Sequence, residues 1–177
     1  MRDPVDSERV RTFLKELSDR LRSPTTVYLV GGASAVLEGW RESTLDLDLK
    51  FVPDGEAFAV LPQLKEKLRV NIELASPDHF LPPVPGWKDR SPVIERIRSV
   101  EFRHFDFYSQ ALSKIERGFS RDIGDVREMV RRNLVDPTEL GRYARAIEPE
   151  LIRYPAIDPD SFYRAVGSFV RSLHTET

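Results

Sequence analysis

The sequence predicts an α+β fold, a small mixed β-sheet packed with helices and followed by a C-terminal helical extension. Three observations carry this. Segments of helical spacing alternate with short apolar or strictly alternating segments over roughly the first 105 residues. Beyond that point only helical spacing recurs. The chain has 177 residues with 40% hydrophobic side chains, the size of one domain with one ordinary core.

In chain order, Val10, Phe13, Leu14, Leu17 and Leu21 share one helical face, with Asp6 or Ser7 able to cap the start. Ser23-Pro24-Thr25-Thr26 ends that helix. Val27–Val30 reads as a buried strand running straight into Gly31-Gly32, and Ala33–Leu37 as a helix stopping near Gly39. Leu45–Val52 alternates as a second strand. A helical stretch covers about 54–68, interrupted or restarted at Pro62. Val70–Ala75 is a third strand. Five prolines between 76 and 92 mark a stiff loop, followed by a fourth strand over Val100–Phe105. Leu112, Ile115, Phe119, Ile123, Val126 and Val130 then keep helical spacing. Two further helices, about 138–148 and 159–172, each follow an Asp-Pro pair.

Composition narrows the function classes. The formal net charge is −2, so no global charge advertises a nucleic-acid partner. There is no cysteine, which excludes disulfides, thiolate metal sites and a cysteine nucleophile, and suits a reducing, cytoplasmic setting. No apolar run approaches the roughly 18 residues of a membrane span, and the first eight residues lack a signal-peptide core. His79, His104 and His174 have no ligand-like spacing, which argues against zinc.

The chemistry concentrates in Leu45-Asp46-Leu47-Asp48-Leu49. Strand alternation sends the leucines to one face and both aspartates to the other, about 6.5 to 7 Å apart. Two like charges on one face repel, and a divalent cation relieves that repulsion. In Val70–Leu74, Asn71 and Glu73 share a face, so a neighbouring strand adds a third carboxylate. Three carboxylates suit Mg²⁺ or Mn²⁺, two ions in all. Taken alone, Asp-x-Asp also fits a solvated acidic sheet face. Gly31-Gly32 before a helix adds a backbone turn open to an anion, with Ser34 able to contribute a hydroxyl.

Gly31-Gly32, thirteen residues, Asp46-Leu47-Asp48 and a later Ile72-Glu73-Leu74 together resemble the signature of the polymerase-beta-like nucleotidyltransferase superfamily. Lys114-Ile115-Glu116-Arg117 and Arg121-Asp122-Ile123-Gly124-Asp125 are similar to segments of abortive-infection nucleotidyltransferase toxins. The likeness spans about residues 27 to 130. It implies a catalytic core over 1–109, with 110–177 a helical part packed on it as one structural unit. It further implies transfer of a nucleotidyl group from an NTP to a tRNA, protein or small hydroxyl acceptor, with release of pyrophosphate. By the same resemblance Asp46, Asp48 and Glu73 are the catalytic metal ligands. Gly31, Gly32, Ser34, Arg41 and Lys114 bind nucleotide phosphate, and Arg121, Asp122 and Asp125 are weaker candidates. An antitoxin partner is implied as well, and no membrane. Serine at 34 follows the glycine pair instead of occupying its second place, and the third acid is glutamate where aspartate is commoner. The alternative is a catalytically inactive module that keeps the fold to bind nucleotide or a protein.

Several features stay open at this level. One continuous helix across Gly118 would put Lys114, Arg117, Arg121 and Asp125 on its wet face. A break there, with Ser120 as cap, would separate Lys114 and Asp122 onto two helices. Trp87 could stack an acceptor base or pack within its loop. Arg127, Arg131, Arg132, Arg142 and Arg145 could meet nucleic-acid phosphates or simply be solvated.

Overall fold

A computed structural model describes residues 3–174; the outer ends of the expected segments 1–109 and 110–177 lie outside the described residues. Helix α1 (Ser7–Ser18) is capped by Asp6, whose side chain accepts from Arg9 N at 2.9 Å. It places Val10, Phe13, Leu14 and Leu17 in the core with no exposure. Each such burial stabilises by about 1.5–3 kcal/mol. Strand β1 (Thr25–Val30) leads into α2 (Gly31–Glu38), which Gly39 ends in the left-handed region. Strand β2 (Asp46–Val52), α3 (Ala57–Leu68) and β3 (Asn71–Glu73) follow. After a 3₁₀ turn at Pro77–His79 and the short α4 (Trp87–Arg90), β4 (Val93–Ile97) and β5 (Val100–His104) complete a sheet of order β3-β2-β1-β5-β4. The sheet is mixed: β1 runs antiparallel to β2 and parallel to β5, and β2 runs parallel to β3.

The chain forms two compact units. The first takes in the chain to Ser76 together with Ser91–Phe105, and the second Pro77–Arg90 together with the chain from Asp106 on. In the first, α1, α2 and α3 pack on one sheet face, where Val27, Leu29, Leu47, Leu49, Ile72, Val100 and Phe102 meet them. The second is helical, with α5 (Phe107–Arg117), α6 (Ser120–Arg131), α7 (Pro137–Ala146) and α8 (Pro159–His174), and a 3₁₀ segment at Glu148–Arg153. Its Leu112, Met129, Leu140 and Phe162 are buried. Among the described residues no helix is long and apolar enough to cross a membrane.

Four expectations need correction. Pro62 lies inside a continuous α3 instead of breaking it. The carbonyl it leaves without a donor belongs to Phe58, a residue 63% exposed, so water can satisfy it. Strand β4 was not expected. A two-residue turn, Arg98-Ser99, joins it to β5 with Arg98 at φ 55°, and a register shift between Val93 and Glu95 breaks its alternation. Arginine at a positive φ offers none of the glycine or asparagine signal of such turns. Leu45 precedes β2 and is 62% exposed, so it does not join Leu47 and Leu49 inside. Phe119 is 67% exposed and caps α6 by its backbone in place of Ser120.

Candidate functional site

Strand β2 alternates half-buried and buried along its length, and Leu47, Leu49 and Phe51 fill the core. Asp46 and Asp48 therefore share the opposite face. Register brings the third acid beside them. In the parallel β2–β3 pair, Asp46 is opposite Asn71 and Asp48 is opposite Glu73. Asn71 Nδ2 donates to Asp46 Oδ1 at 2.5 Å. Glu73 is exposed. The three carboxylates form a row, yet among the described residues no group of three acids or histidines converges closely enough to hold a metal ion. The donor set still fits a hard divalent cation: all oxygen, on one face, with a like-charged pair side by side.

The glycine pair adjoins this row, and its two members serve different needs. Gly31 opens α2 at φ 55°, and a Cβ there would come within 3.1 Å of Asp48 Oδ2. The backbone N–H groups that open α2 and the second aspartate thus share one small space. Gly32 answers to packing, because a Cβ there would lie 2.1 Å from Thr44 Oγ1 and 2.8 Å from Thr44 Cβ. Thr44 is buried and its hydroxyl donates to Asp46 O at 3.0 Å, so it cannot swing away freely.

Ser34 is fully buried, one turn into α2. Its Oγ meets His104 Nδ1 at 2.5 Å, while His104 Nε2 meets Glu38 Oε1 at 3.0 Å. Burial pushes the His104 imidazole down to about 4, so the ring is neutral near pH 7. A neutral ring accepts from the Ser34 hydroxyl at Nδ1 and donates from Nε2 to the carboxylate. The serine hydroxyl thus faces inward to the histidine. Arg41 sits half-buried in the segment between α2 and β2.

The other residues named from the sequence lie in the helical unit. Gly118, at φ 71°, separates α5 from α6. Lys114 Nζ donates to Asp122 Oδ1 at 2.9 Å and to Asp125 Oδ2 at 2.7 Å, and Arg117 Nη2 donates to the same Asp122 oxygen at 2.9 Å. Lys114, Asp122 and Asp125 are all buried. Of the wet face expected of one continuous helix, Lys114 and Asp125 turn inward because the break lets the two helices close over them, while Arg117 stays exposed. Arg121 is exposed. Of the arginine set, Arg131 and Arg132 both reach Glu128 and Arg142 reaches Glu139. Arg127 donates to Ser172 Oγ at 3.1 Å, and Arg145 lies over the Tyr163 ring. Trp87 is half-buried with Lys88 over its ring.

A family model described as a nucleotidyltransferase of unknown function (DUF6036) matches residues 8–157. The chain belongs to this nucleotidyltransferase family. No curated protein and no solved structure matches it. The family match takes in the whole glycine–aspartate–glutamate arrangement and the Lys114 cluster, and it stops just before α8.

Three residues named in the sequence without these roles shape the candidate site. Asn71 ties down Asp46, and its shared phase with Glu73 was the available signal. Thr44 explains Gly32, and only the chain's return past α2 reveals that contact. His104 falls on the inward phase of β5 with Val100 and Phe102, where a polar residue needs a partner.

Proposed function

We propose that the chain is an active, divalent-metal-dependent nucleotidyltransferase acting on an NTP and a hydroxyl acceptor. The observation that carries this is Asp48, with Glu73 opposite it in register and, on its other side, Gly31, where an added Cβ would come within 3.1 Å of its Oδ2. Asp46, Asp48 and Glu73 would hold the ions, Mg²⁺ or Mn²⁺. Bound there, the ions would supply Lewis-acid stabilisation of charge at phosphorus and on the leaving oxygen. The N–H groups opening α2 at Gly31 and Gly32 hold the β- and γ-phosphates, aided by Arg41. The acceptor oxygen forms a bond to the α-phosphorus as the bond to the β-phosphate oxygen breaks, and pyrophosphate leaves. Glu73 takes the acceptor proton, an exposed carboxylate suited to passing it to water.

The resemblance to the toxin segments would make Lys114 a phosphate-binding residue of the helical unit. Its ion pairs with Asp122 and Asp125 fix its ammonium. That resemblance also favours a macromolecular acceptor, a tRNA end or a protein hydroxyl, and an antitoxin that holds the enzyme in check.

The test is label transfer from an α-labelled NTP to tRNA, total protein or small hydroxyl compounds, with and without Mg²⁺. Transfer should require the metal and disappear in Asp46→Asn and Asp48→Asn. A second reading, a nucleotide-binding module without turnover, draws support from the Asn71 bond that occupies Asp46 Oδ1. NTP binding with no transfer to any acceptor, unchanged by Asp48→Asn, would favour it.

A further inference from the structure

Lys50 shares the outward face of β2 with Asp46 and Asp48, and all three are half-buried while the residues between them are buried. Among the described residues it is the one basic side chain on the outward faces of β2 and β3, beside three carboxylates. The register gives it a side. Strand β1 runs antiparallel to β2, with Val30 opposite Asp48 and Tyr28 opposite Lys50, and α2 begins at Gly31 directly after Val30. Gly31 thus lies to one side of Asp48, and Lys50 leaves the strand on the other, about 6.5 to 7 Å further along. Its cross-strand neighbour Tyr28 is 5% exposed and edge-on to Phe105 at 5.8 Å between ring centroids. That fixed ring gives the lysine stem a rigid neighbour.

In-line displacement at phosphorus puts the entering oxygen opposite the leaving one. With the leaving phosphates at Gly31 and Gly32, the acceptor hydroxyl arrives from the Lys50 side of Asp48. A neutral hydroxyl needs no cation there. A phosphodiester next to the attacking hydroxyl would be repelled by three carboxylates, and one ammonium on the approach offsets that repulsion while binding the phosphate as a point charge. Building on the nucleotidyltransferase reading, we propose that Lys50 is a specificity residue on the acceptor side, selecting the hydroxyl end of a nucleic-acid strand over a protein hydroxyl.

The experiment uses the full chain with Lys50→Met and Lys50→Arg. Binding of a fluorescein-labelled single-stranded octaribonucleotide with a free 3′-hydroxyl is followed by anisotropy over a salt series. Mg²⁺–NTP binding is measured separately by calorimetry with each of the four nucleotides. Lys50→Met should weaken oligonucleotide binding about tenfold, the worth of one charge-assisted contact. It should also flatten the log–log salt dependence by about 0.7, the value of one single-strand phosphate contact. Lys50→Arg should stay near wild type, and the nucleotide Kd should not move. An unchanged oligonucleotide Kd in Lys50→Met overturns the proposal, as does an equal loss of nucleotide affinity. A wild type that binds Mg²⁺–NTP but not the oligonucleotide overturns the acceptor assignment alone. A wild type that binds no Mg²⁺–NTP overturns the nucleotidyltransferase reading and this one with it.

Discussion

Lowering the pH should weaken the fold through His104, and the size of the effect follows from its surroundings. In the folded chain burial takes the imidazole from 6.5 down to about 4, whereas the unfolded chain binds a proton near 6.5. Between those values the unfolded state holds more protons, so stability falls as pH drops from 6.5 toward 4 and falls no further from this source below 4. Each pH unit inside the interval is worth about 1.4 kcal/mol, giving about 3 kcal/mol over its whole width. The Glu38 carboxylate 3.0 Å from Nε2 favours the protonated ring, which makes that figure a ceiling. Between pH 7 and pH 5 the same linkage gives a loss of up to about 2 kcal/mol. That window also avoids Glu16, Glu56, Glu101 and Glu128, whose lowered carboxyls lose their contributions only at more acidic pH. Urea unfolding at pH 7 and pH 5, for wild type and His104→Gln, isolates the histidine as the difference between the two slopes. The variant should lose the His104 share of the pH dependence. The reasoning fails if the two proteins show the same dependence, or if the His104 ring titrates by NMR at 6.5 or above.

Gly32→Ala should destabilise by at least about 1–3 kcal/mol, the usual cost of overpacking, because its Cβ would meet Thr44 Oγ1 at 2.1 Å. Thr44→Gly in the same chain should recover most of the loss that Gly32→Ala adds, a coupling that a double-mutant cycle in urea measures directly. Lys114→Met leaves Asp122 and Asp125 buried without their shared cation, and should cost about 3–5 kcal/mol, read as a lower thermal midpoint. Mg²⁺ should raise the thermal midpoint of the wild type and leave Asp48→Asn unmoved; equal shifts in both would place metal binding elsewhere on the chain.

Sequence alone determined whatever depends on local phase. The alternation of β2 sends Asp46 and Asp48 to the face opposite Leu47 and Leu49, and the spacing of α1 picks out the side chains it buries. The same periodicity made the α+β order legible, and Gly31-Gly32 with the two acidic strands pointed to nucleotidyl transfer. Tertiary structure decided what depends on residues distant in the chain. Register alone sets Glu73 beside Asp48 and Asn71 beside Asp46, since nothing within a strand specifies its neighbour's offset. Ser34 turns inward because β5 carries His104 to it from seventy positions away. Gly32 is required by Thr44, and the Lys114 cluster closes only because Gly118 folds one helix against the next. Strand β4 is not legible in the sequence for a similar reason: its turn uses an arginine at positive φ, and pairing with β5 supplies the hydrogen bonds that its own pattern does not announce.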